Sequence, residues 1–219
     1  MKSLCLFDLD GTLTDPKEGI TKSVRHALSA FDIAVASLDE LEHFIGPPLR
    51  DSFREHYGFT QAQAELAVSK YREYFAETGI FENSLYAGIP EMLERLRTSG
   101  VRMAIATSKP TMFAEKIAAH FGFSQYFDFI AGSELDGTRS RKSEVITHAL
   151  QTLGLAPHSS VVMIGDREHD IIGAQETGID SIGVSWGYGP PEELAQARPT
   201  WIANTPDELC RLILERTSP

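Results

Sequence analysis

The sequence predicts an α/β fold: a parallel sheet with helices on both faces, plus an inserted all-α helical segment. Three observations lead there. Short apolar runs of strand length recur along the chain, and helical stripes of apolar residues fill the intervals between them. Between Asp15 and Ser84, roughly 70 residues carry helical pattern with no convincing strand, far more than the usual connection of about 2–6 residues. Strands alternating with helices imply parallel pairing and helices on both faces. The long helical stretch then reads as a second domain, inserted over 15–83, with 1–14 and 84–219 forming the α/β core.

In chain order, Leu4-Cys5-Leu6-Phe7 is a short apolar run suited to a buried strand. In the insert, Ile20, Val24, Ala27, Leu28 and Phe31 share one helical face. Thr60 and Gln63 have capping-box spacing and open a helix whose buried face includes Ala64, Ala67, Val68, Tyr71 and Phe75. After the insert, Ile89, Met92, Leu93 and Leu96 form a helical stripe, and 101–106 reads as the second strand. A weaker third strand is expected at 127–131. Val145, Ile146, Ala149, Leu150 and Leu153 make the next helical stripe, followed by strands at 160–164 and 180–184. Thr205-Pro206-Asp207-Glu208 combines an N-cap, Pro at the first helical position and an acid at the third, which starts the final helix.

The composition narrows the function. Twenty Lys and Arg against 31 Asp and Glu give a formal charge of −11, which argues against a nucleic-acid polymer or an anionic membrane as partner. With two cysteines, Cys5 and Cys210, no disulfide framework of the secreted kind is expected. No cleavable leader is recognisable, and no apolar run reaches the roughly 20 residues that span a bilayer. A soluble cytoplasmic protein, monomer or homodimer, is the expectation.

The segment Asp8-Leu9-Asp10-Gly11-Thr12 leaves the end of the first strand with two carboxylates two positions apart and a Gly that lets the chain turn sharply. Such a pair suits metal-assisted attack on a phosphate, with one acid as nucleophile and the other moving a proton. Three more segments end at the same predicted sheet edge. Thr107-Ser108-Lys109 follows the second strand, Gly165-Asp166 with Asp170 follows the fourth, and the basic cluster Arg139, Arg141, Lys142 precedes a helix N-terminus suited to anions. Taken singly, each has a bland role: Asp and Gly in a turn, Thr107 or Ser108 as a helix cap, Lys142 at the surface, Asp166 and Asp170 as first-turn acids. Their shared position at one sheet edge makes the functional reading stronger.

In order, spacing and residue type these segments resemble the haloacid dehalogenase superfamily of phosphotransferases, over essentially the whole chain. The run from Asp8 to Asp15 resembles its first motif, Thr107 its second, Lys142 its third, and Asp166 with Asp170 its fourth. The resemblance implies a Rossmann-like core with an inserted helical cap. It implies Asp8 as nucleophile, forming an aspartyl-phosphate, and Asp10 as acid then base. It implies Thr107, Ser108 and Lys142 on the phosphate, and Mg²⁺ held by Asp8, Asp166 and the Asp10 backbone carbonyl, with Asp170 either on the metal, directly or through water, or orienting Lys142. Ser143 stands where the superfamily often has Pro, so Arg139 and Arg141 are rivals of Lys142 for the anion.

An acid at position 10 favours hydrolysis of a small phosphate monoester. Residues 44–50 resemble the cap loop of phosphoglycolate phosphatase-like members, with Arg50 as a candidate for a substrate carboxylate or second phosphate. Gly165-Asp166-Arg167 and residues 184–189 resemble 5′-nucleotidases of the same group, so nucleoside monophosphates are the alternative substrate. A β-phosphoglucomutase-like mutase would share the four motifs. A non-enzymatic phosphoacceptor module would place its acceptor after a third strand and carry no cap.

Overall fold

The computed structural model describes residues 4–157 and 160–217. The extreme ends of the expected core segments, 1–3 and 218–219, and the 158–159 pair lie outside it. The chain divides into two compact units, Met1–Thr14 with Leu85–Pro219, and Asp15–Ser84.

The first unit is built on a six-stranded sheet. Its strands are β1 (Leu4–Phe7), β4 (Arg102–Pro110), β5 (Phe129–Ser133), β6 (Val161–Gly165), β7 (Asp180–Val184) and β8 (Trp201–Ala203), in spatial order β5-β4-β1-β6-β7-β8. Every pairing is parallel, with Leu4 opposite Arg102 on one side and Val161 on the other. β1 therefore sits at the middle of the sheet, where strand order reverses, the position at which open α/β sheets bind ligands beyond the strands' carboxyl ends.

The alternation along the strands accounts for helices on both faces. Leu4 and Leu6 of β1, Ala104 and Ala106 of β4, and Val161 and Met163 of β6 form one apolar layer. Val145, Ile146, Ala149 and Leu150 of α6 (Lys142–Thr152) and Ala174 of α7 (Glu168–Thr177) cover it. The other face carries the equally buried Cys5, Phe7, Met103 and Ile105, with α4 (Ile89–Thr98), α5 (Thr111–His120) and α9 (Pro206–Thr217) on that side. The expected stripe Ile89, Met92, Leu93, Leu96 is buried throughout. At the start of α9 the Glu208 N–H donates to Thr205 Oγ1 at 3.1 Å, while the Glu208 carboxylate takes the Asn204 N–H rather than that of Thr205.

The structure corrects several expected boundaries. The second strand runs on to Pro110, because Thr107 to Pro110 stay extended beside β5, with Pro110 opposite Ser133. The third begins at Phe129 rather than Phe127, since Ser124–Tyr126 is a 3₁₀ turn ending at Phe127. Two elements near the C-terminus lacked sufficient pattern to be foreseen. The edge strand β8 has only three residues, with Ile202 44% exposed, and the seven-residue α8 (Pro191–Ala197) buries only Leu194.

The second unit is helical, with α1 (Lys17–Ser29), α2 (Leu49–Tyr57), α3 (Gln61–Tyr74), a 3₁₀ segment at Leu38–Phe44 and a π-helical turn at Phe75–Gly79. Ile20, Val24, Ala27 and Leu28 of α1 and Ala64, Ala67, Val68 and Tyr71 of α3 form its core. The capping box is present: Thr60 N–H donates to Gln63 Oε1 at 2.9 Å and Gln63 N–H to Thr60 Oγ1 at 3.3 Å. A Cβ on Gly19 would lie 1.9 Å from the Gly79 carbonyl oxygen, so α1 and the π-turn meet backbone to backbone. Two short strands, β2 (Thr14–Asp15) and β3 (Ser84–Leu85), pair with each other where the chain passes from one unit to the next. Among the described residues no helix is long and apolar enough to cross a membrane.

Candidate active site

The carboxyl ends of β1, β4 and β6 and the first turns of α6 and α7 bring together most of the residues singled out from the sequence. Asp8 continues β1, its N–H donating to the Ile164 carbonyl at 2.8 Å, and its side chain is buried. Beyond it the chain turns over the Leu9 carbonyl, which accepts from Thr12, Leu13 and Thr14 N–H groups at 3.3, 2.9 and 3.0 Å. Gly11 has φ +84°, and a Cβ there would fall 2.3 Å from Asp166 Oδ2. Both the backbone angle and the crowding require glycine.

Asp166 follows β6 and is fully buried. It accepts from Thr12 Oγ1 at 3.1 Å and from the Tyr188 N–H at 2.8 Å. Asp170 lies in the first turn of α7, and its Oδ2 accepts the Arg167 N–H at 3.1 Å. Carboxylate oxygens of Asp8, Asp166 and Asp170 lie within 4.8 Å of one another.

Lys142, the first residue of α6, is buried among them. Its Nζ lies 2.9 Å from Asp8 Oδ1 and 2.7 Å from Asp170 Oδ1, and donates to the Ala106 carbonyl at 3.0 Å. Burial acts to strip its proton, but Asp170 and Asp8 outweigh this and raise its pKa above the ordinary lysine value. Its rivals go elsewhere. Arg139 takes a left-handed conformation (φ +58°), pairs with Glu134 and donates to the Gly132 carbonyl, and Arg141 is exposed at the α6 N-cap.

Thr107 is buried in the extended tail of β4, next to Ala106, and its Oγ1 accepts the Lys109 N–H at 3.2 Å. Neither Thr107 nor Ser108 caps α5, whose N-cap is Pro110. The Ser108 carbonyl accepts from Ser133 Oγ at 2.8 Å. Arg50 belongs to the helical unit, where its Nε pairs with Glu65 Oε1 at 2.7 Å.

Two contributions were not assigned from the sequence. Lys109 Nζ pairs with Asp10 Oδ2 at 2.7 Å, both side chains being less than a tenth exposed. The 185–190 loop closes on Asp166, with Gly187 and Gly189 allowing its approach and Trp186 Nε1 donating to the Thr12 carbonyl at 3.0 Å. The glycine spacing of Trp186-Gly187-Tyr188-Gly189 was the available signal for this loop.

The electrostatics fit a divalent cation. Four buried acids, Asp8, Asp10, Asp166 and Asp170, face two buried lysines. Burial first, then Asp170 and Asp8, pushes Asp166 up to about 7. Burial and the Asp8 charge, partly offset by Lys142, raise Asp170 to about 6. Burial also raises Asp10, despite Lys109. Asp8 Oδ1 and Asp170 Oδ1 face Lys142 as ion pairs without hydrogen-bond geometry, and Asp10 Oδ1 has no partner among the described residues. Buried carboxylate oxygens in mutual repulsion are hard donors of the type that binds Mg²⁺.

The family model described as haloacid dehalogenase-like hydrolase matches residues 5–184. A 5′-nucleotidase of Pseudomonas aeruginosa is 53% identical over 195 residues, covering 89% of this chain and 88% of that one. The tyrosine-protein kinase PtkA of Mycobacterium tuberculosis is 44% identical over 208 residues, covering 94% of this chain and 70% of that one. A phosphoglycolate phosphatase of Colwellia psychrerythraea is 29% identical over 216 residues, covering 95% of each. Among solved structures, that of a predicted phosphatase from Clostridium acetobutylicum superposes with a TM-score of 0.95 at 48% identity, covering 98% of this chain and 99% of that one.

Proposed function

The chain belongs to the haloacid dehalogenase-like hydrolases and acts on phosphate esters, and on that premise we propose that it is a Mg²⁺-dependent phosphomonoesterase working through an aspartyl-phosphate on Asp8. The observation that carries this reading is the buried cluster of Asp8, Asp166 and Asp170, with Lys142 bridging two of its members. Asp8 and Asp170 would hold the ion with Asp166 and the Asp10 carbonyl. Bound there, Mg²⁺ supplies positive charge against the repulsion between a carboxylate and a phosphate dianion, about 8 kcal/mol at about 4 Å with an effective dielectric near about 20.

The protein's own groups divide the remaining work. An Asp8 carboxylate oxygen attacks phosphorus, the bond from phosphorus to the ester oxygen breaks, and Asp10 protonates the departing alkoxide. Asp10 then takes a proton from the water that attacks the phosphoryl group, so phosphate leaves and Asp8 is regenerated. Lys142 holds Asp8 in place and balances charge on the phosphoryl oxygens. Thr107 and the Ser108 backbone would hydrogen-bond those oxygens, so rate enhancement would be chiefly positioning and electrostatics. The Asp15–Ser84 unit is proposed as the cap that governs substrate choice.

For the substrate, the 53% identity to a 5′-nucleotidase supports a nucleoside 5′-monophosphate ahead of phosphoglycolate, whose named phosphatase relative is 29% identical. The helical unit adds a physical reason. Arg50 is committed to Glu65, and Lys22 to Glu18 and Glu82 at 2.6 Å each, so a substrate carboxylate would have to displace an acid to reach either cation. Phosphate release from nucleotides, phosphoglycolate, sugar phosphates and an aryl phosphate, with and without EDTA, tests the reading. Metal-dependent release that is lost in Asp8→Asn is expected. Activity that ignores EDTA or survives Asp8→Asn overturns the mechanism.

A further inference from the structure

Arg167 separates the metal-site acid Asp166 from α7, whose first turn carries Asp170, and a guanidinium is charged at any working pH. Its charge is coupled to both acids. It is nevertheless drawn into a fork with Glu193 of α8: Nε to Oε1 at 2.8 Å and Nη2 to Oε2 at 3.1 Å, with both side chains less than a fifth exposed. Glu193 Oε1 also accepts the Glu168 N–H at 2.8 Å, one of the orphan donors at the start of α7. A carboxylate from another helix thus serves as the cap that Arg167 cannot provide through its own side chain. Arg167 and Glu193 also join the first turn of α7 to α8, which follows directly on the loop whose Tyr188 N–H holds Asp166.

We propose that Glu193 is a positioning residue of the metal site, acting through Arg167: it keeps the guanidinium turned away from Asp166 and Asp170, so that these acids are left for a divalent cation. The inference rests on the metal-dependent reading of the site. After Glu193, the acids whose charges act on Arg167 are Asp166 and Asp170, and a bidentate guanidinium–carboxylate pair with either would compete directly with metal. Outer partners of this type commonly change metal affinity by about 10–100-fold.

The test is Mn²⁺ binding to the full chain, read from the electron paramagnetic resonance signal of free Mn²⁺, for wild type, Glu193→Gln, and Glu193→Gln combined with Arg167→Gln. Gln keeps the side chain's shape and an oxygen for the Glu168 N–H, so the single variant removes the charge but leaves the helix cap. Glu193→Gln is expected to bind Mn²⁺ about 10–100-fold more weakly, and the double variant to regain most of that loss. Wild-type affinity in Glu193→Gln overturns the proposal, as does a double variant no better than the single one. A wild-type protein that takes up no Mn²⁺ overturns the metal-dependent reading itself, which keeps the two failures apart.

Discussion

The Lys109 ammonium lies 2.7 Å from the Asp10 carboxylate, and both side chains are less than a tenth exposed. The group proposed to protonate the leaving alcohol is thus oriented by a cation two residues beyond Thr107. Lys109→Met is expected to slow hydrolysis of an alkyl phosphate by about 10²-fold, at the lower end of what a positioned acid contributes. It should change turnover of p-nitrophenyl phosphate far less, because that leaving group departs without a proton. Steady-state kcat on the two substrates checks this, and equal losses on both would exclude an effect through Asp10.

Gly11→Ala is expected to harm both stability and metal binding. The new methyl group would sit in a left-handed backbone position and within 2.3–2.7 Å of all three carboxyl atoms of Asp166. Strain of this kind costs about 1–3 kcal/mol. Denaturant midpoints should fall in EDTA, and Mn²⁺ affinity should fall with them. Gly58→Ala is the control, since it too has a positive φ (+65°), but a Cβ there meets nothing within 4 Å.

Metal-free protein is expected to lose stability as pH rises from about 4 to about 7. Asp166 and Asp170 have native pKa values of about 7 and about 6, above the ordinary 3.8, so the native state binds their protons more tightly than the unfolded chain. Their stabilising contribution is complete below the unfolded pKa and is lost as pH climbs through the native values. A divalent ion that takes the place of those protons should therefore stabilise the protein more at about pH 8 than at about pH 5. Urea midpoints at the two pH values, with EDTA and with Mg²⁺, test the sign.

Strong local patterns made most of the α/β core legible in the sequence. The continuous apolar run of β1 and the helical stripe at Ile89–Leu96 carry their structure within a few residues. Asp8, Asp166, Asp170 and Lys142 were legible because each follows a strand or opens a helix at one sheet edge. What escaped depends on partners distant in the chain. Lys109 gains its meaning only opposite Asp10, 99 positions away, and Glu193 only opposite Arg167, 26 positions away. β8 escaped for a different reason: three residues at a sheet edge, one of them half-exposed, carry too little period to register.

The small ribbon of Thr14–Asp15 against Ser84–Leu85 has a consequence for the order of folding. Leu4 must find its register opposite Arg102 across 98 positions of chain. Once the helical segment has folded on its own short-range contacts and its ends are paired, the effective loop shrinks to about 28 positions. The entropy of closing it falls by about 1 kcal/mol. A helical segment that folds early thus acts as a clasp, drawing together two strands that the chain keeps far apart.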